Sequence, residues 1–191
     1  MVQFLSLKTQ IHHSWPNVTQ AVWQKYPNPF ASHVLSSDVI DRNVNPITGV
    51  MTTTRLFLKK GVMPKWGRSL FNVRDAFIME QSTVDPRDCT MVTVTRNLSH
   101  TKIMVVEETQ TYTTTTPQTA SAASAAAQTL LAPITQLRTD VRIISNTGWA
   151  PIKSRIEGFG LTRFKDNTIR SSQGLLHVLE NLTHAQRSET A

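Results

Sequence analysis

The chain has a single cysteine, Cys89, so no intrachain disulfide is available and no cysteine-based metal site can be assembled within it. Its neighbours Asp88 and Thr90 offer no cation to lower the thiol pKa, which argues against a nucleophile and for a small residue at a strand start. No apolar run approaches the roughly 18 residues of a membrane-spanning helix, so a soluble or peripheral chain is expected. Catalytic signatures are missing as well: there is no His-x-x-x-His, no Gly-x-Ser-x-Gly and no P-loop. Glu107 and Glu108 are adjacent, point to opposite faces of a strand and make no acid/base pair. His12-His13 is too weak a signal to assign a metal, and no cofactor is implied. The amino-terminal MVQFLSLKTQIHH has neither an Arg-rich amphipathic presequence nor a secretory apolar core, which by targeting rules alone points to the cytosol.

What is present is positive charge. Twenty Lys and Arg stand against 13 Asp and Glu, a net charge of +7 with a pI near 10.0. Such a surface attracts a polyanion: nucleic acid, an anionic membrane or a phosphate-bearing ligand. At 191 residues with 39% hydrophobic content the chain is expected to form one domain, residues 1–191, with a core of its own.

Strand patterns rich in Val, Ile and Thr occur at 2–8, 33–41, 50–59, 76–84, 90–97, 102–116 and 138–146. Turn signals separate them, at Asn45-Pro46 with Gly49, at Asp85-Pro86 and from Asn97 to His100, which predicts an antiparallel meander. Ser14 before Trp15-Pro16 reads as the N-cap of a short helix with Val18, Val22 and Trp23 on it, ended by Pro27. From Trp149 to about residue 186 the pattern is helical, with Gly158, Gly160 and Gly174 weakening it locally. The expected class is therefore α+β: about seven antiparallel strands in a curved sheet, gripped by a long C-terminal helix. Residues 117–136, rich in Ala, Ser and Thr, read as a mobile low-complexity loop.

Three constellations carry chemistry. On the long helix Ile152, Ile156 and Phe159 share a face, and the same stripe continues as Arg163, Asn167 and Arg170. A guanidinium on a core-facing stripe needs a partner, and phosphate suits it; otherwise the apolar face rotates to Phe164, Leu175 and Leu182 and the arginines are solvated. Arg55 and Lys59 share one face of a strand with Phe57 between them, either lining a pocket or snorkelling from a surface strand. Residues 61–75 read either as a plain connection or as a lid. In the lid reading Gly61 and Gly67 act as hinges, Val62, Met63, Trp66, Leu70 and Phe71 give apolar contact, and Lys65 and Arg68 face anionic headgroups.

The segment QKYPNPFASHVLSSDVIDR (24–42) resembles the [RK]-Y-P-N-P-x-x-x-H-V signature of the PRELI-like (slowmo) family. TVTRNLSHTKIMVVEETQTY (93–112) is similar to that family's T-R-N-L-x-H-x-x-I-M-x-V-E-E block, and TTTRLFLKKG, PKW and KSRIEGFGLTRFKDN extend the likeness over nearly the whole chain. The resemblance implies a START-like, phosphatidylinositol-transfer-protein-like lipid pocket and a carrier, not an enzyme. It implies phosphatidic acid as cargo, moved from the outer to the inner mitochondrial membrane in support of cardiolipin synthesis, with phosphatidylserine as the alternative within the family. By the same likeness Lys25, His33, Arg55, Lys59, Arg163, Asn167 and Arg170 match headgroup-contacting positions, and 61–75 matches a gating Ω-loop. It further implies residence in the intermembrane space, peripheral to the inner membrane, and a heterodimer with a small helical twin CX9C protein. A basic nucleic-acid-binding module is the reading from another class. Against it, the basic residues are scattered and no RNP, helix-turn-helix or zinc-finger signature is present.

Overall fold

The computed structural model describes residues 2–61, 65–67, 75–114, 134–146 and 150–189, with side chains described as far as 185. In chain order these form β1 (Val2–Ile11), α1 (Trp15–Trp23), β2 (Val34–Val44), β3 (Met51–Lys59), β4 (Ala76–Asp85), β5 (Thr90–Asn97), β6 (Met104–Thr114), β7 (Thr135–Ser145) and α2 (Ala150–Glu189). The strands make one antiparallel sheet in the order β1-β7-β6-β5-β4-β3-β2. Strands β2 to β7 are thus a meander, and β1 returns to pair with β7 from Val2↔Ile144 to Ile11↔Thr135. The α+β expectation holds, as do most element boundaries.

Short polar side chains set the turns. Asn45 Oδ1 accepts from the backbone N–H of Ile47 at 2.9 Å, and Gly49 takes φ +74° to complete the β2–β3 hairpin. Asp85 Oδ1 accepts from Arg87 N–H at 2.9 Å between β4 and β5. Asn97 staples the β5–β6 connection: its amide donates to the carbonyls of Ser99 (2.8 Å) and Met104 (2.9 Å), and its oxygen accepts from Val106 N–H at 2.8 Å. Cys89 sits at the turn before β5 with φ +47°.

Two expectations need correcting. Ser14 precedes α1 but its side chain makes no capping hydrogen bond. The loop read over 117–136 ends earlier, because β7 starts at Thr135, whose hydroxyl donates to the carbonyl of His13 at 2.8 Å. Most of that segment, residues 117–133, lies outside the described residues.

The main core gathers Trp15, Val18 and Val22 of α1, Leu175, Val178 and Leu179 of α2, and Met91 and Tyr112 of the sheet. Fully buried side chains such as Val18 and Leu179 contribute about 1.5–3 kcal/mol each. A smaller cluster joins Val141 and Ile143 to Phe164. The two readings of the helix stripe therefore both apply, in different stretches: the second half of α2 turns its apolar face to the core, while Ile156, Phe159, Arg163, Asn167 and Arg170 face a cavity.

The helix glycines prove to be places of close approach. A Cβ on Gly160 would come within 2.7 Å of Met104 Sδ and 3.2 Å of Ile143, and one on Gly174 within 2.8 Å of the Asn28 amide. Gly158 faces open space. The glycines thus let α2 lie down on the sheet and on the Pro-Asn-Pro corner.

Candidate functional site

Between the sheet, the corner after α1 and the first half of α2 is a cavity of about 340 Å³, within the usual span of ligand sites. Phe57, Ile78, Val106, Ile156 and Phe159 supply apolar wall. Lys25, His33, Lys59, Arg163, Asn167 and Arg170 all line it, so six of the seven sequence-selected headgroup positions meet at one site.

The corner places the first two. Asn28 holds it: its oxygen accepts from Phe30 N–H at 2.9 Å, and its amide donates to the carbonyl of Lys25. Lys25, 8% exposed, donates from Nζ to Ser171 Oγ on α2. Burial pushes its pKa below the ordinary lysine range, opposed by the charges of Glu108 and Glu80. The neighbouring rings form a row. Lys25 Nζ lies 5.7 Å from the Tyr26 ring centroid, Tyr26 packs edge-on to Phe57 at 5.5 Å, and Lys59 Nζ lies 5.6 Å from the Phe57 centroid. Two cations thus flank an aromatic pair, each held by a ring face.

His33 marks the cationic end. Its ring is half-buried, and its pKa falls below the ordinary value first through burial and then through the charges of Lys59, Arg170 and Arg163. Among the described residues none of these three makes an ion pair. Asn167 turns a buried amide oxygen there that has no hydrogen-bond partner among the described residues.

Arg55 is placed differently from the headgroup position expected of it. It is 4% exposed and does not line the cavity. Its Nε and Nη2 both donate to Glu80 Oε1, at 2.8 and 2.5 Å, and Nη1 reaches the carbonyls of Val22 and Trp23 at 3.4 Å. The guanidinium also lies over Trp23 (4.7 Å) and Phe57 (5.2 Å). The cause is register: Arg55 on β3 stands directly opposite Glu80 on β4, so its charge is matched within the sheet.

Of the lid positions, Lys65 and Trp66 fall in a 3-10 turn, Lys65–Gly67. Lys65 is exposed, and Trp66 is half-buried and lines the cavity. Val62, Met63, Arg68, Leu70 and Phe71 lie outside the described residues. The sequence reading missed two acidic wall residues, Glu80 and Glu108. The alternation of β6 separates Glu107 from Glu108, yet alternation alone leaves open which of the two faces inward.

A curved antiparallel sheet closed by one long helix over a cavity defines the START/Bet v1-like class. Solved structures agree: Zhui aromatase/cyclase from Streptomyces sp. R1128 superposes with TM-score 0.60 at 8% identity, over 94% of each chain. Ara h 8.0201 gives 0.51 at 10% identity, over 97% of this chain and 99% of that one. Sequence narrows the class. The PRELI-like family profile matches residues 16–185, and the chain belongs to that family. It is 37% identical over 175 residues to Protein UPS1, mitochondrial, of Saccharomyces cerevisiae, covering 91% of this chain and 90% of the relative. It is 32% identical over 193 residues to PRELI domain-containing protein 1, mitochondrial, of Mus musculus, covering 100% of this chain and 82% of the relative.

Proposed function

We propose that this chain is a phospholipid carrier whose preferred cargo is phosphatidic acid. The observation that carries this reading is the join, within one cavity, of apolar wall to an end bearing Lys59, Arg163 and Arg170 without ion-pair partners among the described residues. A headgroup phosphate supplies the missing negative charge, and Asn167 and His33 supply polar contacts beside it. Exposing a diacyl lipid to water uncovers on the order of 30 methylenes at about 0.8 kcal/mol each, so unassisted transfer is slow. An apolar cavity with cations at one end lowers that barrier without any covalent step.

The named relatives are mitochondrial, which supports a mitochondrial setting. In our reading the carrier works in the intermembrane space, touches anionic membrane transiently, moves phosphatidic acid from outer to inner membrane and so feeds cardiolipin synthesis. A small twin CX9C protein is its expected heterodimer partner. Trp66 at the cavity rim, beside exposed Lys65, suits contact with an anionic bilayer surface.

The test is transfer of fluorescent phosphatidic acid between donor and acceptor liposomes, together with mass spectrometry of lipid co-purified with the protein. The expected result is transfer well above the protein-free rate and a bound phospholipid. Folded protein, alone and with its helical partner, that leaves transfer at the protein-free rate would overturn the reading.

A further inference from the structure

The two adjacent glutamates of β6 part company. Glu107 lies on the outer face, 3.7 Å from both Arg96 and Arg142. Glu108 faces the cavity, where a carboxylate is out of place if the site simply collects anions. Its orientation is fixed along its own strand. Tyr112 Oη donates to Gln110 Oε1 at 2.7 Å, and Gln110 Nε2 donates to Glu108 Oε1 at 2.8 Å, so both bonds run toward the carboxylate. Tyr112 is itself fully buried, which anchors the far end of this relay.

Among the described residues no cation makes an ion pair with Glu108. Lys25 spends its bond on Ser171, Lys59 stays on Phe57, and Arg55 is paired with Glu80. Among the described residues Glu108 Oε2 has no hydrogen-bond donor. The charged and titratable groups that line the cavity with it are Lys25, Tyr26 and His33 after α1, Lys59 and Lys60 at the end of β3, Glu80 of β4, Arg96 of β5, His100 in the turn after it and, from α2, Arg163 and Arg170; of these Lys25, Lys59 and Glu80 act on its charge. Burial raises its pKa, opposed by Lys25 and Lys59.

We propose that Glu108 is the residue by which this cavity tells a phosphomonoester headgroup from a phosphodiester. This rests on the carrier reading above. A phosphomonoester has a second ionisation near pH 6, so at neutral pH one proton is available to the pair. Either the P–OH donates to the carboxylate, or protonated Glu108 donates to the dianion; no bond to phosphorus changes, and the proton count is the same. A phosphodiester has no such proton. It sets its negative charge against Glu108 with nothing to donate, and a polar site left unmatched in this way discriminates strongly.

The experiment measures extraction by the 191-residue chain from vesicles holding dioleoyl phosphatidic acid or dioleoyl phosphatidylmethanol, whose headgroup differs by one methyl. At pH 7 the unmodified protein should favour the monoester by about tenfold or more. Glu108→Gln keeps the shape, removes the charge and offers an N–H donor, so diester extraction should rise and the ratio close to within about threefold. In the unmodified protein the ratio should narrow as pH falls from 7.5 to 5, because protonated Glu108 can donate to the diester. In Glu108→Gln it should stay flat. A ratio preserved in the variant, or an equal loss of both lipids, overturns the role of Glu108. Should the variant not fold, the pH profile of the unmodified protein decides: a narrowing ratio supports the role, an invariant one overturns it. Extraction of neither lipid by the folded unmodified protein, alone and with its helical partner, overturns the carrier reading itself, and with it this one.

Discussion

Asn28 lies so close to Gly174 that a Cβ on the glycine would meet the asparagine amide at 2.8–2.9 Å. The amide cannot swing away freely, because it also holds the corner through Lys25 and Phe30. The contact links the Pro-Asn-Pro corner to α2 one turn beyond Ser171, where Lys25 is bound. Gly174→Ala should therefore destabilise the protein by roughly 1–2 kcal/mol despite the better helix propensity of alanine. Gly158→Ala, facing open space, should stabilise it by about 0.5–1 kcal/mol. Urea denaturation of the pair checks this, and equal shifts of one sign would contradict the close-approach account.

Arg55 and Glu80 should behave as wall structure. Arg55→Ala leaves a buried carboxylate without its partner and should cost about 3–5 kcal/mol in unfolding free energy. If that variant kept its stability and lost only lipid transfer, Arg55 would belong with the headgroup cations after all.

Lys59→Glu and Arg163→Glu place a negative charge where the proposed headgroup sits. Each should reduce phosphatidic acid transfer by at least about tenfold while the melting temperature moves little, since neither side chain makes an ion pair among the described residues. Wild-type transfer by either variant would put the phosphate elsewhere in the cavity.

His33 gives a pH signature. Its ordinary pKa of 6.5 is lowered in the folded chain, by burial and then by Lys59, Arg170 and Arg163. Between the folded value and 6.5 the unfolded chain binds more protons, so stability should fall as pH drops through that window. His33→Gln should flatten the slope there. Ring-proton NMR should also find the His33 pKa rising when anionic lipid is added, because the headgroup offsets the three cations. A pKa that does not respond to anionic lipid would separate His33 from the headgroup site.

Trp66 at the cavity rim should couple the site to the membrane. Trp66→Ser should weaken liposome binding and slow transfer, most on anionic vesicles. Binding that is unchanged on anionic and neutral vesicles alike would assign the tryptophan to the cavity wall alone.

Local patterns carried the fold into the sequence: strand alternation, the Asn45, Asp85 and Asn97 turns, and the long helical run all name elements that form. The stripe from Ile156 to Arg170 named one wall of the cavity, because residues on one helix share a face by spacing alone. What stayed hidden depends on partners distant in sequence. Arg55 has the same local pattern whether or not Glu80 stands opposite it, and only the β3–β4 register decides. Glu108 is indistinguishable from Glu107 until the sheet has an inside. Gly160 and Gly174 read as weak helix positions because nothing nearby in sequence announces Met104 or Asn28. The sense of Asn28 and Asn97 within their motifs also emerges only from their bonds, which hold a corner and a loop.

The pairing of β1 with β7 has a kinetic consequence. Strands β1 and β2 follow each other in sequence, yet they occupy opposite edges of the sheet, and the corner carrying Lys25 and His33 belongs to the crossover between them. The hairpins from β2 to β6 can form from near neighbours, whereas Val2 must find Ile144 across most of the chain. Closure of that last edge is thus expected to be slow, and it seats the crossover that completes the cavity. A chain caught before it would hold most of its strands and no ligand site, so in a refolding experiment the gain of lipid binding should lag the gain of β-structure.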